Sequence, residues 1–115
     1  MAGLRDSRGQ IILCLTQRQQ FMKCDDDPAR ISRSFPASRA GQVETIALAP
    51  GEWSLLLVHD ENGNGKLDTW MGIPKEGFGF SRNPPIRFGP PSYDQVRFGV
   101  AADGAQQRIM VKYLI

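Results

Sequence analysis

The sequence predicts an all-β protein, an antiparallel β-sandwich, and three observations lead to that fold class. Apolar and polar residues alternate along several short segments, as in strands whose successive side chains point to opposite faces. No segment shows the 3.6-residue spacing of a helix. Turn residues such as Pro50-Gly51 separate the alternating segments. Several short strands joined by turns indicate two packed sheets.

The alternating segments justify the strands one by one. They are residues 10–17, 29–35, 42–48, 52–59, 94–100 and 106–115. The third and fourth predict a hairpin around Pro50-Gly51, and the last two predict a second hairpin. The run Leu55 to Val58 is continuously apolar, which is typical of a central strand covered on both faces. The acidic run 25–27 before Pro28 predicts a solvated turn.

Length and composition limit the class of protein. The 115 residues, 41% of them hydrophobic and 23% charged, predict one globular domain spanning residues 1–115. A net charge of +2, with scattered basic residues, argues against nucleic acid as a partner. No apolar run has the length of a membrane span, and the polar start of the chain shows no leader peptide.

The two cysteines, Cys14 and Cys24, are close in the sequence, and no third cysteine or nearby histidine completes a zinc set. An even pair that closes a short loop predicts a disulfide, and a disulfide requires an oxidising compartment. Two unrelated thiols are the alternative. With the disulfide, we expect a periplasmic or secreted protein whose leader is missing from this sequence.

One segment carries a chemically specific pattern. Asp60, Asn62, Asn64 and Asp68 occupy positions one, three, five and nine of a loop, with glycine at position six. This is the spacing of oxygen ligands in an EF-hand calcium loop, where the glycine permits the tight turn. The main-chain carbonyl of Lys66, at position seven, would supply another oxygen. The sequence therefore predicts a calcium site.

The loop also departs from the EF-hand pattern, because Met71 stands where the bidentate glutamate belongs and a strand precedes the loop. Glu76 is a candidate for the missing ligand. With so few charges we expect weak binding, with a Kd of roughly 10⁻⁴ to 10⁻³ M. The alternative is a metal-free turn, because Asn-Gly dipeptides are also typical of hairpin turns.

Two long strings resemble a known bacterial family. They are LAPGEWSLLLVHDENGNGKLDTWMGIPKEGFGFS and FGPPSYDQVRF, within about residues 41–98. They resemble the family catalogued as domain of unknown function 2141 (DUF2141). The resemblance implies a prealbumin-like or immunoglobulin-like sandwich and a secreted or periplasmic location, and it implies no activity.

Residues 60–92 are predicted to form one long, ordered loop rich in glycine, proline and aromatic residues. Its rings either pack on the sandwich or bind a ligand of unknown identity, such as a cell-envelope glycan or peptide, together with its arginines. The candidate ligand-binding residues are Trp70, Phe78, Phe80, Arg82 and Arg87.

No nucleophile elbow or phosphate loop is present, so no catalytic residue is assigned. His59, the only histidine, ends the central strand beside Asp60. We interpret it as a residue that orders the strand end, and an acid–base enzyme using His59 is the less favoured alternative. The preferred hypothesis is a secreted binding or structural module whose calcium-type loop is ordered by the cation.

Overall fold

The computed structural model describes residues 4, 8–39, 41, 44–60, 69–70, 73–74, 77–85, 91–102 and 104–111. The strands in this part are β1 Gln10–Thr16, β2 Ile31–Pro36, β3 Gly51–Asp60, β4 Thr69–Trp70, β5 Ile73–Pro74, β6 Gly77–Phe80 and β7 Phe98–Val100. The helices are α1 Tyr93–Val96 and two 3₁₀ helices, Phe21–Asp26 and Ala37–Arg39. The protein is therefore mostly β, but the expectation that it has no helix was wrong.

Five strands form one antiparallel sheet in the order β2-β1-β3-β6, with β7 also paired to β3. β1 pairs with β3 from Gln10 opposite Asp60 to Thr16 opposite Ser54. β6 pairs with residues 56–59 of β3, and β7 pairs with its first three residues. β4 and β5 pair with each other in a separate two-stranded sheet. The central position predicted for the strand at 52–59 is confirmed.

The sheet has two apolar faces, since side chains alternate along each strand. The first face consists of the odd-numbered apolar residues of β1 and β3, and it carries the larger core cluster. Residues from two segments without regular structure pack against it: Ile46, Leu48, Ile109 and Val111. The buried residues of the face itself that come from β1 and β3 are Ile11, Leu13, Leu15, Trp53, Leu55 and Leu57.

The second face is covered by the 3₁₀ helix Phe21–Asp26 and by α1. Phe21 meets Phe80 edge to face, with ring centroids 5.7 Å apart, and Phe78 meets Phe80 at 5.9 Å. Val96 of α1 joins the same cluster, and Leu56 packs against it. Edge-to-face rings are favourable because the positive edge of one ring meets the negative face of the other.

The first predicted hairpin was wrong, because residues 44–48 form no strand and β3 pairs with other partners. Along residues 56–59 both edges of β3 are occupied, since β1 and β6 pair with the same residues. Glu44, Ile46 and Leu48 are half-buried while the residues between them are exposed. The alternation in this segment therefore reflects packing on the first face. Residues 42–43 lie outside the described part.

The second predicted hairpin was also wrong for the residues that the structure describes. Residues 93–96 form α1 rather than a strand, and β7 pairs with β3 rather than with residues 106–111. Ser92 and Gln95 have the spacing of a helix capping box, and Ser92 N–H donates to Gln95 Oε1 at 2.9 Å. This Ser-x-x-Gln spacing is the feature of the sequence that indicates the start of α1.

The prediction of one long loop at residues 60–92 was wrong for the described residues, because β4, β5 and β6 lie inside it, and β6 is the longest of the three. Two glycines alternate with its two phenylalanines, and glycine weakens the apparent strand pattern. A Cβ atom on Gly79 would come within 2.5 Å of Ile109 Cγ2 and 3.2 Å of the Met110 carbonyl oxygen. Glycine is thus required there because the segment around Ile109 crosses β6 closely.

Candidate functional site

The end of β3 places two adjacent polar side chains in the interior. His59 and Asp60 are both 0% exposed. Gln10, at the start of β1, lies opposite Asp60 in the register, and its Nε2 donates to Asp60 Oδ2 at 3.3 Å. The first residue of the calcium-type motif therefore lies at the paired end of a central strand, with an amide side chain beside it.

His59 has a structural environment. Its Nε2 lies 2.8 Å from the carbonyl oxygen of Arg8, and a carbonyl only accepts hydrogen bonds. Nε2 therefore carries a proton and donates a hydrogen bond to the backbone carbonyl oxygen of Arg8. Successive residues of a strand point to opposite faces, so the side chains of His59 and Asp60 diverge. This arrangement fits the interpretation of His59 as a residue that orders the strand end.

The structure places only part of the predicted site. Six predicted site residues lie outside the described residues: Asn62, Asn64, Lys66, Asp68, Glu76 and Arg87. Among the residues that the structure does describe, no three His, Cys, Asp or Glu side chains converge in a group able to hold a metal. Asp60 is thus the one motif ligand whose surroundings are described, and calcium binding stays a prediction.

The predicted aromatic platform is only partly described. Phe78 and Phe80 are buried and pack on the second face, so their rings are not available to a surface ligand. Arg82 is exposed, and its Nη1 donates to the carbonyl oxygens of Asp94 and Arg97 at 2.9 and 3.4 Å. Of Trp70, only the backbone in β4 is described. The described members of this set therefore have structural contacts.

The predicted disulfide is present. Cys14 and Cys24 are joined, and both residues are buried. The bond ties the 3₁₀ helix Phe21–Asp26 to β1, and so holds the cover of the second face in place.

The prediction of a solvated acidic turn at residues 25–27 was wrong for Asp27, which is only 4% exposed. Its carboxylate accepts hydrogen bonds from Thr16 Oγ1 at 2.6 Å and from Ala29 N–H at 2.9 Å, and Arg18 Nε lies 3.4 Å away. The Thr16 hydrogen bond, followed by that from Ala29, lowers the pKa of Asp27 below its usual value. The carboxylate thus fastens the chain after the disulfide loop to the end of β1.

A family model covers nearly the whole chain. The model described as "Uncharacterized protein conserved in bacteria (DUF2141)" matches residues 1–109. The chain belongs to the DUF2141 family. The resemblance seen in the sequence is thereby confirmed, and it extends well into the N-terminal third. Searches among curated proteins and among solved structures found no match.

This DUF2141 member has a polar network that sequence reasoning missed. Glu52 accepts hydrogen bonds from Tyr93 Oη at 2.8 Å and Arg97 Nη1 at 2.9 Å, and Arg97 Nε lies 3.1 Å from Asp94 Oδ1. Burial, reinforced by Glu52, raises the pKa of Tyr93 to about 12. The network ties α1 to the start of β3. Glu52 is more than 40 residues away from the other three members in the sequence, so no local pattern could reveal the network.

Ser81 is a second residue that sequence reasoning missed in this DUF2141 member. It is fully buried, its Oγ accepts from Leu55 N–H at 3.1 Å, and the same hydroxyl donates to the Val96 carbonyl oxygen. Ser81 N–H donates to the Leu55 carbonyl oxygen at 3.1 Å. Ser81 thus links the end of β6, the centre of β3 and α1.

Within the part of the DUF2141 chain that the structure describes, no helix is both long and apolar enough to cross a bilayer.

Proposed function

We propose that this DUF2141 protein is a calcium-stabilised β-sandwich module of an oxidising compartment, with a structural or binding role. In this proposal Asp60, Asn62, Asn64, the Lys66 carbonyl and Asp68 hold the cation, with Glu76 as a further candidate ligand. The observation that carries the proposal is the position of Asp60. Its carboxylate is buried at the end of β3, at the first position of a loop with calcium-type spacing.

A strand end is a suitable origin for such a site. A cation site needs its ligands held in place before binding, and side chains on regular elements are held more firmly than those on loops. Asp60 is fixed by pairing with β1 and by the amide of Gln10. A cation bound there would anchor the chain that follows to the sheet.

The second layer of the proposed sandwich would be built from residues 44–48 and 104–111. Both segments pack on the first face through alternate residues, with Ile46 and Leu48 in one, and Ile109 and Val111 in the other. Alternate burial is the pattern of an inner sheet face in a sandwich. The prealbumin-like or immunoglobulin-like topology is part of this proposal.

The proposed compartment is the periplasm or the cell exterior. The Cys14–Cys24 disulfide supports it, because disulfides form and persist in oxidising environments and are rare in the cytosol. Fractionation of cells that make the full-length precursor would test this. Recovery of the oxidised protein from the periplasm or medium is expected, and recovery only of reduced protein from the cytosol would contradict it.

Thermal unfolding with calcium tests the cation. A ligand that binds only the folded state stabilises it by RT ln(1 + [L]/Kd), so 10 mM calcium and the Kd expected above give about 1 to 3 kcal/mol. Unfolding in calcium is compared with unfolding in chelator at equal ionic strength. We expect calcium to raise Tm for the wild type, and Asp60→Asn to abolish the rise.

Asp94→Asn is the matched control, because Asp94 is an exposed aspartate of α1. This variant is expected to keep the full response to calcium. A wild-type Tm that is the same in calcium and in chelator would refute the proposed cation site, as would an undiminished response in Asp60→Asn.

A further inference from the structure

The strand next to β3 provides a polar side chain that the loop motif does not contain. Gln10 is the first residue of β1 and lies directly opposite Asp60. Its Nε2 donates to Asp60 Oδ2 at 3.3 Å. Gln10 is fifty residues away from Asp60 in the sequence, and only the antiparallel register of β1 and β3 brings the two together.

We infer that Gln10 is a positioning residue of the cation site, and this inference rests on the proposed function. Its amide holds one oxygen of the Asp60 carboxylate, and so sets the direction in which the carboxylate faces the cation. Carboxylates that bind metals are usually oriented by such a neighbouring hydrogen bond, and losing the partner typically weakens metal binding by 10- to 100-fold.

The neighbouring contact supports the same assignment. His59 Nε2 donates to the Arg8 carbonyl, so the backbone just before β1 is bound to the residue just before Asp60. Two consecutive residues of β3 are therefore tied to the chain at the start of β1, one on each face of the sheet. The geometry of Asp60 therefore depends on this segment, and the Gln10 amide is a contact through which the segment acts on the carboxylate.

Calcium affinity in three full-length variants tests the inference. Gln10→Met keeps the length of the side chain but cannot donate a hydrogen bond, and Gln10→Ala removes the side chain. Gln19→Ala, an exposed glutamine after the other end of β1, is the matched control. The apparent Kd is measured by calcium titration of Tm, and each variant is also unfolded in chelator.

The expected result is a Kd at least 10-fold higher in both Gln10 variants and unchanged in Gln19→Ala. A merely structural role would lower the Tm in chelator and leave the calcium response intact, so the two roles are separable. If the wild type binds calcium and Gln10→Met binds it equally well, the inference is wrong while the proposed function stands. If the wild type binds no calcium, both fail.

Discussion

The two ends of the β1–β3 pair are held in different ways. At one end, Thr16 and Ser54 face each other next to the Cys14–Cys24 disulfide, and Asp27 is hydrogen-bonded to Thr16. This disulfide end is fixed by a covalent bond and by contacts within the chain. The other end, the Asp60 end, has His59 and Asp60 buried beside the segment that precedes and begins β1.

The two ends of the sheet should therefore respond differently to calcium. Buried charge is costly unless it is paired or bound to a metal, and both ends bury a carboxylate. Asp27 has its hydrogen-bond donors and a nearby guanidinium. Asp60 accepts a hydrogen bond from Gln10 and, in the proposed function, also binds a cation. Variants at the disulfide end should therefore act equally with and without calcium.

Removing the disulfide should have the largest effect. A disulfide that closes a loop of this size lowers the entropy of the unfolded chain, and in the loop-entropy description this raises the free energy of unfolding by about 3 kcal/mol. The double variant Cys14→Ala with Cys24→Ala should lose about that much unfolding free energy in urea titrations. The loss should be the same in calcium and in chelator, because Cys14 lies about 13 Å from Gln10 along β1 and mutations at distant sites have additive effects on stability. A loss below about 1 kcal/mol would contradict the role assigned to the bond.

Two buried serines near the disulfide end, Ser81 and Ser54, should give the next largest difference in stability. Replacing Ser81 with alanine leaves the Leu55 N–H and the Val96 carbonyl without the hydroxyl, which should cost about 1 to 3 kcal/mol. Ser54 is a matched control, because it is as deeply buried as Ser81 but its hydroxyl has no hydrogen bond to lose. Among the described residues, its hydroxyl is the one buried side-chain polar group without a hydrogen-bond partner. Ser54→Ala should be neutral or stabilising. Equal destabilisation by the two changes in urea titrations would contradict the hydrogen-bond assignment.

The pH dependence of Asp27 gives the smallest and most specific effect. The pKa of Asp27 is lower in the folded protein than in the unfolded chain, so the ionised carboxylate contributes to the free energy of unfolding. This contribution is complete above the unfolded pKa of about 4 and is lost as the pH falls through the folded pKa. The stability difference between the wild type and Asp27→Asn should be constant from about pH 5 to 8 and shrink below pH 4. A difference that instead grows on acidification would show that Asp27 is not stabilised as a carboxylate.

The two central strands of the sheet could be predicted from their uninterrupted apolar pattern. β1 and β3 were identified because leucine, isoleucine and valine either alternate or run continuously through them. β6 was missed because its glycines, one of which is required by the crossing of Ile109, erase the alternation. Residues 44–48 alternate for another reason, the packing of Ile46 and Leu48 on the first face. A pattern of burial does not reveal which strand is the hydrogen-bonding partner.

The candidate site shows the same limit. The spacing of the motif and its position after the central strand follow from local sequence, and the structure places Asp60 at the end of β3. The contacts of Gln10 and Arg8 with that strand end depend on the register between distant segments. The burial of Asp27 could not be predicted either, because the Thr16 hydroxyl that donates a hydrogen bond to its carboxylate lies on another element, β1.

The most direct test of the central claim is a search for the cation in crystals of the full chain grown with calcium. If the cation site exists, an anomalous difference peak is expected about 2.3–2.6 Å from a carboxylate oxygen of Asp60. The peak should be absent from crystals of Asp60→Asn grown in the same way. A wild-type structure in which Asp60 is bonded only to protein groups, with no peak beside it at saturating calcium, would contradict the account.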